Sequence, residues 1–301
     1  MTPMEKDLAV VKKQLQEEEI ELTSNFRKGL NRLLHNRMTV LGVIIILIYL
    51  FMAAFPSLLT SYDPYKQELA NSLKPPSMEH WMGTDEFGRD VFSRVAHGAR
   101  LSIAVGFFAV ATGGIIGFTI GIISGYFGGK IDSAVMRFMD VLLALPGIML
   151  AIAIIAALGT GLVNVIIAIA IYNIPQFARM TRSTTLSVKN QDYVLAAKSV
   201  GNSSSGILWR HVFPNVWSSP LIFATLRFST AILIAAGLSF LGLGVNPPTP
   251  EWGAMLASSR RYLRAAPHIA FAYGITLSIL VLGFNAMGEG LRDVFDPRSV
   301  R

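Results

Sequence analysis

Residues 141–178 have the sequence VLLALPGIMLAIAIIAALGTGLVNVIIAIAIYNIPQFA, 38 consecutive positions without Asp, Glu, Lys or Arg. As a single α-helix this stretch would extend about 57 Å, nearly twice the thickness of the hydrocarbon core of a bilayer. Two glycines and a polar residue interrupt the apolar pattern at Leu158-Gly159-Thr160-Gly161. The stretch therefore predicts two membrane helices that are separated near residues 158–161.

Four further stretches on either side of it carry almost no charge. They are Met38–Tyr62, Leu101–Gly129, a weaker stretch from Ser218 to Leu243 with Arg227 inside it, and Ala265–Gly288. Each is long enough to cross a bilayer, which takes about 20 apolar residues. The chain of 301 residues is 52% hydrophobic and 15% charged, which is outside the usual range of soluble proteins. We therefore predict an all-α membrane protein with six transmembrane helices.

The distribution of charge predicts the orientation of these helices. The net charge is +7, but the basic residues lie in short segments between the apolar stretches rather than among surface aromatic residues, which disfavours a nucleic-acid partner. With the N-terminus inside, the cytoplasmic segments hold 17 Lys and Arg and the external segments hold 8. The positive-inside rule then places both termini in the cytoplasm.

The predicted spans divide the chain into five regions. They are a cytoplasmic tail with an amphipathic helix (1–37), the first transmembrane helix (38–59), an external segment (60–99), a five-helix core (100–288) that includes a cytoplasmic loop at 179–215, and a cytoplasmic tail (289–301). The amphipathic helix is inferred from four apolar residues at helical spacing among basic residues, Phe26, Leu30, Leu33 and Leu34. A solvated basic flank is the alternative interpretation.

Two features inside the spans indicate specific roles. Four glycines repeat every four residues on one helix face, a pattern that lets another helix approach closely: Gly113, Gly117, Gly121 and Gly125. Ordinary glycine enrichment in membrane helices is the alternative. Arg227 is a charge within a span, so we interpret it as a candidate lining residue of a transport pathway. A pair with a phosphate, or a side chain extended to the inner interface, are the alternatives.

Sequence motifs for catalysis are missing. No stretch matches the nucleotide-binding pattern G-x-x-x-x-G-K-[ST] or the zinc motif H-E-x-x-H, and the chain has no cysteine. The five histidines show no metal-ligand spacing. No Asp or Glu lies clearly within the spans, which disfavours ion-coupled secondary transport. We therefore expect this chain to be no enzyme and to bind no metal or cofactor itself.

The cytoplasmic loop from Arg179 to Asn215 is too long and too patterned for a plain connector. It contains a stripe of small and apolar residues at helical spacing, Tyr193, Ala196, Ala197 and Val200. Gly201 can take the left-handed conformation that ends a helix, and Asn202 or Ser203 can cap the next helix. Pro214 then marks the approach to the fifth span. This helix, turn and helix form a lever suited to a groove on another protein.

The same loop resembles the E-A-A, three residues, G, nine residues, I-x-L-P loop of the permease subunits of ABC importers. Leu195-Ala196-Ala197, Gly201 and His211-Val212-Phe213-Pro214 keep that spacing, with Leu195 in place of the family's Glu. The resemblance implies a coupling helix that fits a cleft on an ATPase subunit. The candidate coupling residues are Asp192, Tyr193, Ala196, Ala197, Gly201, Trp209, Arg210 and Pro214.

Three further stretches resemble the C-type permease of the dipeptide, oligopeptide and nickel importers. His80–Asp90 resembles its external H-W-x-G-T-D-x-x-G-R-D segment, Leu238–Gly253 resembles the end of its fifth span and the next loop, and Leu291–Arg298 resembles its C-terminal ending. The external segment carries six acidic residues between positions 62 and 98. We expect docking of a binding protein at Trp81, Asp85, Arg89, Asp90, Glu251 and Trp252; a structural cap over the pathway is the alternative.

This resemblance implies the type I ABC importer permease architecture in a bacterial or archaeal inner membrane. The implied partners are a homologous second permease, two ATP-binding subunits that hold ATP and Mg²⁺ and hydrolyse the ATP, and an extracytoplasmic substrate-binding protein. A homodimer of permeases is the alternative to a heterodimer. The expected substrate is a dipeptide, an oligopeptide or glutathione. The alternatives are a nickel or metal-chelate importer of the same family and, outside it, an ion-coupled secondary transporter.

Overall fold

A computed structural model of the protein describes the backbone of residues 36–295 and the side chains through Asp293. In that range the secondary structure is helical apart from one isolated β-bridge. The helices of eight residues or more are α1 (Arg37–Ala54), α2 (Val91–Phe127), α3 (Gly129–Ala144), α4 (Gly147–Leu158), α5 (Leu162–Lys189), α6 (Asp192–Ser199), α7 (Ser218–Phe240), α8 (Trp252–Ser259) and α9 (Pro267–Phe295). The predicted amphipathic helix near Phe26 and the ends of both tails lie outside the described residues.

Five of these helices are long and apolar enough to cross a membrane, namely α1, α2, α5, α7 and α9. The pair α3 and α4 passes the same test only when its two helices are taken together, and they are bent by 92° at the break between them. The described part of the chain therefore has five spans, or six if the bent pair is counted as one. The predicted all-α class is confirmed.

Residues 141–178 are interrupted between two helices at the position that the glycines predict. Helix α4 ends at Leu158 and α5 begins at Leu162, and Gly159 has a φ of +88°, a conformation that residues with a side chain rarely adopt. The expectation of a single helix before this break is wrong, because Pro146 ends α3 and begins α4. Proline disfavours a helical conformation at the preceding residue, and Leu145 is extended. Helix α4 keeps twelve residues, about 18 Å in length.

Helix α2 begins at Val91, well before the uncharged stretch that starts at Leu101. The Asp90 carboxylate caps it by accepting the Ser93 N–H at 2.6 Å. Arg100 lies inside the helix and donates to the last carbonyl groups of α1 at 3.1 and 3.3 Å. A charged residue that finds such partners does not end a helix, so the uncharged stretch underestimates the length of α2.

The longest helix packs closely against α5 along the glycine stripe, Gly113, Gly117, Gly121 and Gly125. A Cβ atom at Gly113 would lie 2.6 Å from the carbonyl oxygen of Ala170, and one at Gly117 would lie 2.5 Å from that of Ile174. These distances are shorter than van der Waals contact, so a side chain would force the two backbones apart. The stripe therefore faces a helix of the same chain.

The buried apolar residues form two clusters. The larger one joins α1, α2, α4, α5, α7, α8 and α9 and includes the fully buried Trp252, Phe177 and Ile269. The smaller one joins the end of α2 to the loop after α5, through Ile122, Val194, Ile207, Val212 and Val216. The loop therefore has a core of its own that attaches it to the long helices.

Candidate functional site

The loop at 179–215 has the predicted helix, turn and cap. Helix α6 is followed by Gly201 with a φ of +86°, and the hydroxyl of Ser203 accepts the Gly206 N–H at 3.2 Å. The chain then passes through a π-helical turn at Leu208–Val212 before it reaches Pro214. Such widened turns are rare and are frequent at functional sites.

The small apolar cluster fixes α6 to the membrane helices. Val194, the buried residue of α6, packs in the same cluster as Ile122 of α2, and Ala197 packs against the cluster. The Lys189 ammonium donates to the carbonyl oxygen of Tyr126, at the end of α2, at 2.5 Å. Packed side chains and this hydrogen bond therefore connect α6 and the end of α5 to α2.

Helix α6, the residue after it and the π-helical turn carry several large apolar side chains that are exposed. They are Tyr193, Leu195, Val200 and Trp209, which are 44%, 49%, 84% and 65% exposed. We call these four residues, together with Ala196, the coupling surface. Partial burial raises the pKa of the Tyr193 hydroxyl above its usual range. Several large apolar side chains that are exposed in one short segment are typical of a contact site for another protein.

The structure brings the predicted coupling residues to one part of the molecule. Seven of the eight are exposed, namely Asp192, Tyr193, Ala196, Gly201, Trp209, Arg210 and Pro214, and Ala197 is half-buried. Leu195, which stands in place of the family's Glu, lies among the exposed apolar residues. The sequence did not predict the anchor Val194, because an apolar residue of a short helix can face inward or outward and only its packing partners decide which.

An ion pair that the sequence did not predict lies beside the loop. Arg182 of α5 donates from Nε and Nη2 to the two carboxylate oxygens of Asp132 in α3, at 2.5 and 2.6 Å. The hydroxyl of Ser124, in α2, donates to the same carboxylate at 2.5 Å. Three helices are therefore joined through one carboxylate at the end of the bundle that carries the loop.

Arg227 lies half-buried in α7 with its guanidinium directed at α5. Its Nε and Nη2 both donate to Asn173 Oδ1, at 3.1 and 3.0 Å. The ring centroids of Tyr172 and Phe223 lie 5.2 and 5.8 Å from its Cζ, within the range of cation–π attraction. Among residues 36–293, Arg227 forms no ion pair with a carboxylate.

A groove of about 720 Å³ runs between the bend at Pro146 and one face of α5. Its polar side chains come from α5 and repeat at helical spacing, Tyr172, Gln176, Arg179, Ser183 and Thr184. A polar stripe on a helix long enough to cross a membrane is unfavourable against lipid, so it is typical of a water-filled cavity or a protein contact. Tyr172 lines this groove and also contacts Arg227.

In segment 60–99, three predicted docking residues have their polar groups turned inward. The buried Arg89 donates from Nε to Asp85 at 2.7 Å, and Arg94 lies 3.4 Å from the same carboxylate. Asp90 caps α2 and pairs with His80 at 2.9 Å. These interactions hold the segment together as a compact layer.

Glu251 and Trp252 are also buried. The Glu251 carboxylate caps α8 and accepts the Ser239 hydroxyl at 3.0 Å, and the Trp252 indole N–H donates to the carbonyl oxygen of Val95 at 3.0 Å. These five residues therefore suit the alternative of a structural cap. Trp81 differs, because 66% of it is exposed, and it is the one predicted docking residue with a large free surface.

Comparison with known sequences identifies two family matches. Residues 117–301 match the family described as "Binding-protein-dependent transport system inner membrane component", and residues 24–76 match "N-terminal TM domain of oligopeptide transport permease C". The chain is 45% identical to the dipeptide transport system permease protein DppC of Alkalihalophilus pseudofirmus, over 94% of this chain and 93% of that protein. It is also 45% identical to the glutathione transport system permease protein GsiD of Escherichia coli, over 89% of this chain and 88% of that protein.

Solved structures of ABC transporters share the fold. The MetNI methionine ABC transporter, in inward-facing conformations, matches with a TM-score of 0.56 and 19% identity, over 67% of this chain and 96% of that chain. An amino acid ABC transporter matches with a TM-score of 0.52 and 14% identity, over 65% and 91%. The predicted resemblance is confirmed: the chain belongs to the binding-protein-dependent transport system inner membrane components, and it is a multi-pass permease subunit of an ABC importer.

Proposed function

We propose that this permease forms half of a pathway for short peptides, and that ATP hydrolysis on partner subunits drives the import. Its relatives DppC and GsiD are named for the transport of dipeptides and of glutathione, and both are 45% identical to it over most of its length. Both named substrates are short peptides with a free carboxylate. A dipeptide or glutathione is therefore the favoured substrate over a nickel complex.

The observation that carries the proposal is the coupling surface. Its apolar side chains are exposed, whereas the neighbouring Val194 is buried against α2. An ATPase subunit that binds the exposed face and changes shape would displace α6 as a rigid unit, and α2 and α5 would move with it. Such a movement can bias the permease between its inward-open and outward-open states.

The proposed assembly has four kinds of protein. A homologous second permease completes the pathway, two ATP-binding subunits contact the coupling surfaces, and an extracytoplasmic binding protein delivers the peptide. The sequence of this chain has no nucleotide-binding motif of the phosphate-loop type. ATP and Mg²⁺ are accordingly assigned to the partner subunits, and this chain supplies the lever and part of the pathway wall.

The proposed topology places both termini and the coupling surface in the cytoplasm and the segment 60–99 outside. In this orientation the cytoplasmic segments hold 17 Lys and Arg and the external segments hold 8, which supports it. Outside, Trp81 is the proposed contact for the binding protein, and the buried residues around Asp85 and Glu251 support the surface on which it lies. The predicted five-region division of the chain is retained in this proposal.

The test is uptake by proteoliposomes that contain both permeases and the two ATP-binding subunits, with the binding protein added outside. We expect uptake of a radiolabelled dipeptide that requires ATP on the ATPase side and that persists when an ionophore removes the membrane potential. Uptake that survives without ATP and stops with the ionophore would contradict the proposal. Uptake of ⁶³Ni²⁺ complexes in place of the dipeptide would support the metal-chelate alternative.

A further inference from the structure

The least explained charge in the described part of the chain is Arg227. We propose that Arg227, Asn173 and Tyr172 form a carboxylate site, which holds the carboxylate group of a peptide as it passes along the groove. This inference rests on the proposed import of peptides and names the part of the substrate that this chain recognises.

Arg227 pairs with no carboxylate in the described part of the chain. An arginine is protonated under all physiological conditions, and a charge within a span is costly unless it meets an opposite charge or water. The described ion pairs use the other carboxylates near this chain's cations, such as Asp132 with Arg182 and Asp140 with Arg179. Arg227 has a neutral amide as its partner instead, so an external anion gains a full charge interaction there.

The neighbouring side chains fix the orientation of the Arg227 guanidinium. Asn173 is fully buried, and because arginine can only donate, the amide oxygen must face Arg227. The amide nitrogen of Asn173 has no hydrogen-bond partner within residues 36–293, so the Arg227 contact is what fixes this amide. The rings of Tyr172 and Phe223 lie near the guanidinium and restrict its movement further.

Some N–H donors of the Arg227 guanidinium are not used by the contact with Asn173. A guanidinium has five N–H donors, and the contact with Asn173 uses the Nε side of Arg227. Neither contact with Asn173 uses Nη1, and the Tyr172 hydroxyl is the other polar group close to the guanidinium. The edge formed by Nη1 and the outer N–H of Nη2 matches the spacing of two carboxylate oxygens, which is the geometry of a two-point arginine–carboxylate contact.

Tyr172 connects the Arg227 site to a groove large enough for a short peptide. Tyr172 contacts Arg227 and also lines the groove of about 720 Å³ beside α5. That volume lies within the range of sites that hold small ligands, roughly 300–1,000 Å³. Gln176, one helical turn after Tyr172, lines the same groove and offers an amide to the peptide backbone. Arg227 and Asn173 do not themselves line the groove, so the proposed carboxylate contact is at its Tyr172 end.

The test uses the absence of cysteine from the sequence. In the assembled transporter in phosphatidylcholine nanodiscs, Gln176→Cys provides one thiol in the groove, and its reaction rates with anionic and cationic methanethiosulfonate reagents are compared. We expect Arg227→Gln to lower the anionic-to-cationic rate ratio by about fivefold or more. Arg227→Lys should keep most of the ratio, and it also serves if the glutamine variant does not assemble. The control Arg261→Gln removes an exposed cation that does not line the groove and should change the ratio by less than about twofold.

A protection experiment on the same Gln176→Cys protein tests recognition of the carboxylate. Millimolar alanyl-alanine should slow the reaction of the thiol when Arg227 is present, and alanyl-alanine amide should slow it much less. Protection that is equal for the two peptides, or unchanged by Arg227→Gln, would overturn the carboxylate site while ATP-driven uptake still supports the proposed function. Loss of the peptide effect when phosphatidylglycerol replaces phosphatidylcholine would also overturn it, because a lipid headgroup would then be the anion bound.

Discussion

Asp132 and Arg182 form a two-point ion pair that joins α3 to α5, and Ser124 of α2 donates to the same carboxylate. Because the pair lies beside the loop that carries the coupling surface, it is suited to hold these three helices together while the loop is displaced. Asp132 is the nearly buried partner, whereas about a third of the Arg182 side chain is exposed.

We predict that Asp132→Asn lowers the free energy of unfolding by about 1–2 kcal/mol, because Arg182 then loses its charged partner and solvent exposure limits the loss. Thermal unfolding of the purified permease in detergent measures this change. In a double-mutant cycle with Arg182→Gln, the second substitution should cost little more once Asp132 is replaced. Additive losses would show that the two residues stabilise the protein independently.

We predict that Gly121→Ala destabilises the packing of α2 on α5, because a Cβ at Gly121 would collide with the backbone of Ala178. The expected loss is about 1–3 kcal/mol, as for other overpacked positions. Gly114→Ala is the matched control on the same helix, since its Cβ would lie 3.4 Å from the Phe177 ring, an ordinary contact. If the control loses as much stability as Gly121→Ala, close backbone approach is not what requires glycine here.

We predict that Glu251→Ala destabilises the junction between α7 and α8. The carboxylate accepts the N–H groups of Gly253 and Ala254 at 2.9 and 2.8 Å and a hydroxyl of Ser239, and all of these donors lose a partner in the variant. We expect a loss of about 2–3 kcal/mol in thermal unfolding experiments. An unchanged melting temperature would argue against the structural role that we assign to this residue.

We predict that Trp81→Ala, unlike Glu251→Ala, weakens docking of the binding protein and not stability, because the Trp81 side chain is largely exposed. We expect an unchanged melting temperature and a rise in the concentration of binding protein that gives half-maximal ATPase stimulation, by about tenfold if Trp81 is an anchor of the contact. Unchanged stimulation would place the docking surface elsewhere.

The sequence predicts structure well where a single local rule decides it. Glycines at 159 and 161 predict the break after Leu158, and Gly201 predicts the end of α6. The break at Pro146 was missed because a search for uncharged stretches does not respond to proline. Residues that depend on distant partners are not predictable in this way. Arg227 donates to Asn173, which lies on another helix. Asp85 is of a residue type that usually lies at the surface, but here it is buried and pairs with Arg89 and Arg94.

In the proposed mechanism, ATP hydrolysis on partner subunits is coupled to peptide import through the exposed residues of α6. The most direct measurement is the number of ATP molecules hydrolysed per dipeptide imported in proteoliposomes, for Ala196→Arg and for Ala134→Arg. Both alanines are exposed, but Ala196 lies on the coupling surface and Ala134 lies on α3. We predict that Ala196→Arg raises this ratio at least about tenfold, because a bulky charge there disrupts an apolar contact, and that Ala134→Arg leaves it unchanged. A wild-type ratio and wild-type uptake in Ala196→Arg would contradict this mechanism.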